Sequence, residues 1–264
     1  MRYRLIAADV DGTLLNARKE LTPAVAEAIA RARAAGAVFT LATGRPYQGV
    51  ARFLPLLGGD VPLILYNGAV VTTARTRRQL FHRTMPPAAA LRLMEEGLRR
   101  GAAVVVWCRE RLYIGQPAAL SADYAGKSGV AALPLADPAA LAEAGVTKLI
   151  WIADPERTAA YRAQMEAFPT EGVCACLSEP TYLEFMAAGV SKAAGLAAAA
   201  AALGIPREET LALGDGENDL SMLRWAGMGV AMGSAPALVR AEADYVTASS
   251  EQDGLALALE DLLL

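Results

Sequence analysis

At 264 residues, 54% hydrophobic and 20% charged, the chain can bury a large core, which excludes disorder and suggests one large or two smaller domains. A net charge of -3 with dispersed Lys and Arg offers no basic footprint for nucleic acid and no cationic amphipathic stretch for a membrane surface. A small phosphorylated metabolite is the expected partner.

The N-terminal "MRYRLIAADVDGT" has an apolar run too short and too soon broken by acids for a signal peptide. The stretch "AAGLAAAAAALGI" from Ala193 has 13 residues, mostly alanine, short of the roughly 20 apolar residues of a spanning helix. A cytoplasmic protein is therefore expected. Cys108, Cys174 and Cys176 lack zinc or redox spacing and are expected as buried reduced thiols in strands.

In chain order, "YRLIAAD" predicts a first strand. "LTPAVAEAIARARAAG" predicts a helix capped by Thr22, with Pro23 at its first position and Gly36 closing it. "AVFTLAT" is a second strand, a helix is expected from near Pro46 to "LLGGD", and "VPLILYNG" is a third strand ending in an Asn-Gly turn. Alternating strands and helices imply a parallel sheet built from right-handed crossovers.

The rhythm then changes. "AVVTTARTRRQLFHRT" predicts a strand pair and "PPAAALRLMEEGLRRG" a helix. "AAVVVWCRERLYIG" reads as a hairpin, "VTKLIWIAD" as a strand, "PERTAAYRAQMEAF" as a helix and "GVCACLSEPTYLEFMA" as a second hairpin. The final section alternates again: helix "SKAAGLAAAAAALGI", strand "TLALGDG", helix "NDLSMLRWAG", strand "GVAMG", then "ADYVT" and a last helix. The fold class is thus α/β: a Rossmann-like parallel sheet with helices on both faces, formed by residues 1–83 and 189–264, with an α+β domain inserted at 84–188.

In an open parallel sheet, ligands bind outside the carboxyl ends of the strands. Four polar clusters fall there: "DVDGT", Thr43-Gly44-Arg45, Lys192 opening a helix, and "GDGENDLSML" from Gly214 to Leu223. Asp9, Asp11, Asp215 and Asp219 gather negative charge that needs a cation, and oxygen donors without His or Cys suit magnesium. The sole histidine, His82, is expected at the surface or in packing, which leaves zinc and Ser-His or Cys-His chemistry poorly supported.

A phosphate beside that metal could receive hydrogen bonds from Thr43 and from backbone N–H groups around Gly12, Thr13 and Gly44, with Lys192 adding positive charge. One carboxylate is then placed to attack phosphorus and a second to move protons, a division that the spacing of Asp9 and Asp11 permits.

These motifs, in this order, resemble the haloacid dehalogenase-like phosphatase superfamily, specifically its Cof-type branch with an inserted α+β cap (type IIB). Asp9, Asp11, Gly12 and Thr13 match its first motif, Thr43, Gly44 and Arg45 the second, Lys192 the third and "GDGENDLSML" the fourth. The resemblance implies that Asp9 is nucleophile and magnesium ligand. It makes Asp11 the general acid and base, with a metal-ligating carbonyl, and Asp215 the third protein ligand. Asp219 would support the metal through water, Lys192 would pair with Asp9 and the phosphate, and Thr43 would bond the transferring group. Asn218 would also reach the phosphate region, and Arg45 and Asn67 lie where the branch contacts substrate or cap.

Two departures stand out. "KAAGL" displaces the glycine that usually follows the lysine directly, and Ser234 stands where Asn is usual. The implied activity is hydrolysis of a small phosphate monoester, such as a sugar phosphate. A hexose phosphomutase using the same chemistry is the alternative. A receiver-type phosphoacceptor module is a remoter one, because such domains are shorter and lack a cap.

Overall fold

The computed structural model describes residues 2–115, 119–165, 168 and 171–263, and the chain forms two compact units. The first comprises residues 1–45, 50–82 and 191–264; the second comprises 46–49 and 83–190.

The chain opens with β1 (Leu5–Ala8), α1 (Pro23–Ala34) and β2 (Val38–Leu41). The Thr22 side chain accepts the Val25 N–H and caps α1, as its sequence signals predicted. Instead of one helix after β2, two short ones form, α2 (Tyr47–Val50) and α3 (Leu54–Leu57), separated by a 3-10 turn. Gly49 and Pro55 account for the break: one weakens the helix, and the other lacks the N–H needed to continue it.

Next come β3 (Pro62–Leu65), β4 (Val70–Thr73) and β5 (Gln79–His82), an antiparallel sheet in the order β3-β4-β5. The third predicted strand thus joins the parallel sheet not by a full ladder but through a bridge between Ala42 and Ile64, the Thr43 N–H on the Ile64 carbonyl at 2.9 Å and the Thr40 hydroxyl on the Pro62 carbonyl. His82 is half-buried on β5, where burial lowers its pKa.

The second unit contains α4 (Pro87–Arg99), β6 (Ala103–Cys108), β7 (Arg111–Gly115), α5 (Ala119–Ser128), β8 (Ala132–Pro134) and α6 (Pro138–Gly145). It ends with β9 (Val146–Ile152), α7 (Pro155–Met165), β10 (Val173–Glu179) and β11 (Tyr182–Ala187). Glu166 and Ala167, near the end of the helix predicted from "PERTAAYRAQMEAF", lie outside the described residues.

Its six strands are ordered β10-β11-β9-β6-β7-β8, antiparallel except for β7 with β8. Val104, Val106, Leu149, Trp151, Leu183 and Phe185 alternate onto one face and bury against Leu93 and Met94 of α4 and Tyr161 of α7. Trp151 anchors that core edge-on to Phe185, centroids 4.9 Å apart, and donates its Nε1–H to the Leu93 carbonyl. Of the cysteines only Cys108 is buried; Cys174 and Cys176 are exposed on β10. That strand sits at the sheet edge, so alternation there does not guarantee burial.

Back in the first unit follow α8 (Lys192–Leu203), β12 (Thr210–Gly214), α9 (Leu220–Trp225), β13 (Met228–Ala231), α10 (Ala237–Ala241), β14 (Tyr245–Val246) and α11 (Gly254–Leu263). The five-stranded sheet β14-β13-β12-β1-β2 is parallel throughout, with Ala8 beside both Leu213 and Leu41. The α/β class is as expected.

From β1 the chain proceeds to one side, and from β12 to the other, so the order reverses between these neighbours. Their carboxyl ends form the crevice where this architecture binds ligands. The glycine displaced to position 195 has a use here: a Cβ on it would lie 2.4 Å from Ile64 Cγ2 and 2.9 Å from Gly68 Cα, so α8 packs directly on β3 and its turn. Among the described residues no helix is long and apolar enough to cross a membrane.

Candidate active site

Asp9 follows β1 and still donates its N–H to the Leu213 carbonyl at 2.9 Å, so the nucleophile candidate sits on the strand rather than on a free loop. The chain then folds back: Leu14 N–H reaches the Asp9 carbonyl at 3.2 Å and Leu15 N–H the Val10 carbonyl at 2.9 Å. Gly12 permits this turn with φ +87°, and a Cβ there would lie 2.2 Å from Asp215 Oδ2. Its N–H, expected to face a phosphate, donates instead to the Leu15 carbonyl at 3.2 Å. Thr13 likewise turns inward, its hydroxyl donating to Asp215 Oδ1 at 3.0 Å.

Lys192 opens α8 just after Ser191, whose hydroxyl caps the helix by accepting the Ala194 N–H. The lysine is fully buried, and its Nζ donates to Asp9 Oδ1 at 2.6 Å and to Asp219 Oδ1 at 2.5 Å. Asp219 Oδ2 in turn accepts the N–H groups of Asp215 and Gly216, both at 2.9 Å. This fully bonded carboxylate therefore fixes both the lysine and the loop that carries Asp215.

Asp9, Asp215 and Asp219 each bring a carboxylate oxygen within 4.8 Å of one another. One ammonium faces three carboxylates. Burial, with Asp219 and Asp215 close by, pushes Asp9 up to about 7 against the opposing pull of Lys192. Burial and Asp219 push Asp215 up to about 6. Burial alone would lower Lys192, but Asp219 and Asp9 hold it protonated above the ordinary lysine value. An all-oxygen donor set with surplus negative charge fits a hard divalent cation such as Mg2+.

Asp11 lies two residues on, with cations of its own. Arg45 grips it as a fork, Nε to Oδ2 at 2.8 Å and Nη2 to Oδ1 at 2.7 Å, and Lys19 Nζ reaches Oδ1 at 2.8 Å. Burial would raise this carboxyl, but Arg45 and Lys19 hold it below the usual carboxylate range. Sequence reasoning missed Lys19, which belongs to no motif and meets Asp11 only because the chain turns back after Leu15.

The second motif meets the turn after β3. Asn67 N–H donates to the Thr43 carbonyl at 2.9 Å, and the Arg45 N–H to the buried Thr43 Oγ1 at 3.2 Å. Asn67 holds a left-handed φ of 54°, and its Oδ1 accepts from Asn218 Nδ2 at 3.3 Å. A Cβ on Gly44 would lie 3.1 Å from that same Oδ1. Thr43, Gly44, Asn67 and Asn218, far apart in sequence, thus form one polar patch, and Arg45 links it to Asp11.

A parallel sheet that reverses order above a carboxylate cluster with a buried lysine defines a class, and comparison with known proteins names it. Residues 6–259 match the model of the haloacid dehalogenase-like hydrolase family, and the chain belongs to that family.

Within it, the protein is a Cof-type phosphatase. YxeH of Bacillus subtilis, which carries the name of a phosphatase, is 31% identical over 99% of both chains. The Escherichia coli pyridoxal phosphate phosphatase YbhA is 30% identical over 97% of both. A solved haloacid dehalogenase-like hydrolase from Bacteroides thetaiotaomicron superposes with a TM-score of 0.89 at 28% identity, over 99% of this chain and 100% of that one. The subclass IIB sugar phosphatase BT4131 gives 0.82 at 25% identity, over 98% of both chains.

Proposed function

We propose that this phosphatase is magnesium-dependent and hydrolyses a small phosphate monoester, a sugar phosphate or similar metabolite, through a phosphoryl-aspartate on Asp9. The observation that carries this reading is the cluster of Asp9, Asp215 and Asp219 around the buried Lys192. Asp9, Asp215 and the Asp11 carbonyl are the candidate holders of Mg2+, with Asp219 in support, and the ion when bound supplies positive charge against the phosphoryl oxygens.

Asp9 attacks phosphorus as the ester P–O bond breaks, and Asp11, which Arg45 and Lys19 hold toward its charged form until it takes a proton from solvent, delivers that proton to the departing alkoxide. Asp11 then takes a proton from water as that water attacks phosphorus. The Asp9–phosphorus bond breaks, and inorganic phosphate and free Asp9 are regenerated. Lys192 keeps Asp9 oriented and offsets charge on the phosphoryl group, which Thr43 and Asn218 bond. Arg45 and Asn67 border the substrate, Gly12 and Thr13 shape the turn, and Gly44 leaves room beside Asn67. The inserted segment, residues 84–188, acts as the cap that selects the leaving alcohol. Relatives named for pyridoxal phosphate and for sugars support small metabolites as the substrate class.

The test is phosphate release from sugar phosphates, polyol phosphates, nucleotides and pyridoxal phosphate, with and without Mg2+. Release that requires Mg2+ from at least one small monoester is expected. A hexose bisphosphate turned into isomerised monophosphate without free phosphate would make the enzyme a mutase. A phosphorylated chain persisting for minutes without turnover would make it a phosphoacceptor.

A further inference from the structure

The carboxylates of the site divide into two groups of opposite balance. Asp9, Asp215 and Asp219 face one ammonium, that of Lys192, so negative charge is in surplus there. Asp11 stands outside that group and faces two cations. Arg45 Nη2 and Lys19 Nζ converge on its Oδ1 at 2.7 and 2.8 Å, and Arg45 Nε holds its Oδ2 at 2.8 Å. One positive charge is left over on this side of the site.

Lys19 belongs to none of the motifs, and it is the cation with room for a ligand. Its side chain is 58% exposed, and among the described residues its ammonium bonds Asp11 alone, which leaves N–H groups for a further acceptor. A constructed turn holds it in place. Its backbone is left-handed, φ +60°, its N–H donates to the Asn16 carbonyl at 2.9 Å, and Arg52 Nη2 donates to its own carbonyl at 3.3 Å. An exposed ion pair contributes little to stability, and a left-handed backbone at a residue with a Cβ is itself unfavourable. What the turn secures is one positive charge beside Asp11.

On the phosphatase reading Asp11 meets the leaving oxygen at hydrogen-bond distance, about 3 Å, so groups on the neighbouring carbons of the alcohol fall within reach of the lysine. The surplus there is a single charge, which matches a carboxylate better than a second phosphate with its charge of about two. We propose that Lys19 determines specificity by pairing with a carboxylate on the leaving alcohol, close to the ester oxygen, so that phosphorylated hydroxy acids are the preferred substrates. The inference rests on the phosphatase reading and deepens it by naming the substrate class.

The experiment compares kcat/KM, with Mg2+, for 3-phosphoglycerate and glycerol 3-phosphate, which differ in a carboxylate against a hydroxymethyl group. Both lose a primary alkoxide, so any effect of Lys19 through Asp11 is common to the two and cancels in their ratio. The wild-type protein is expected to favour the acid about fivefold, the upper end for an exposed ion pair, and the preference should shrink in high salt. Lys19→Arg should keep the preference, Lys19→Met should remove it, and Lys19→Glu should turn it towards glycerol 3-phosphate. No preference in the wild-type protein, a preference that survives in Lys19→Met, or release from neither ester would overturn the inference while leaving the phosphatase reading intact. Absence of Mg2+-dependent release from every monoester tested for the proposed function would overturn both.

Discussion

Asp9 is a carboxylate held ready but not at rest: burial and two acidic neighbours oppose its charge, and a single buried ammonium supports it. Asp9→Asn keeps an oxygen for Lys192 but removes the attacking charge. Phosphate release is expected to fall at least about a thousandfold, with the circular-dichroism spectrum unchanged. Retained turnover in that variant would end the mechanism. Gly12→Ala tests the turn. Its Cβ would enter the Asp215 carboxylate from a left-handed backbone, so a cost of about 1–3 kcal/mol in urea unfolding is expected, together with weaker Mg2+ dependence of activity. Aspartates and glycines at strand ends were legible because a motif is a local requirement. Lys19 was not, because only a chain reversal brings it to Asp11.

The elements of the second unit show where pattern reading succeeds and where it stops. β6, β9 and β11 are dense in β-branched and aromatic residues and were legible, as were both hairpins. Between β7 and β9 the structure adds α5, β8 and α6, none of which was expected. α5 and β8 are largely exposed and carry no apolar stripe, so periodicity had nothing to report. For α6 a signal existed in Asp137, whose side chain accepts the Ala140 N–H just before Pro138.

One charge in each of β9 and β11 broke the apolar pattern without ending the strand. Lys148 and Glu184 are buried and meet at 2.6 Å, and Ser178 donates to the same Glu184 oxygen at 2.7 Å. Removing one partner strands the other, so Glu184→Gln or Lys148→Met should each cost about 3–5 kcal/mol in urea unfolding. The double variant Lys148→Met/Glu184→Leu should recover most of that loss. Single variants as stable as wild type would show that the pair carries no buried charge.

For the whole molecule, the carboxylate cluster couples protons to stability, and on the proposed reading it couples metal to both. Asp9 and Asp215 titrate near 7 and near 6 in the folded protein, against an ordinary aspartate value of 3.8 in the unfolded chain. Between those limits the folded state binds more protons, so without metal it loses stability as pH rises from about 4 to about 7 and changes little above that. Asp60 and Glu96 act in a separate window: hydrogen bonds, from Thr76 and Arg99 foremost, hold both near 2, and their contribution is lost only as pH falls below 4.

A divalent cation bound at this cluster would displace the protons that Asp9 and Asp215 otherwise keep. Stabilisation by Mg2+ should therefore be small at pH 5 and full at pH 8, where a hundredfold excess over Kd gives about 2.7 kcal/mol. In thermal melts, the chelated protein should lose Tm between pH 5 and pH 8, and millimolar Mg2+ should restore several degrees at pH 8 but few at pH 5. Asp215→Asn, with one charge fewer in the cluster, should flatten both trends. A Tm gain from Mg2+ that is equal at the two pH values would place the ion elsewhere than on these carboxylates.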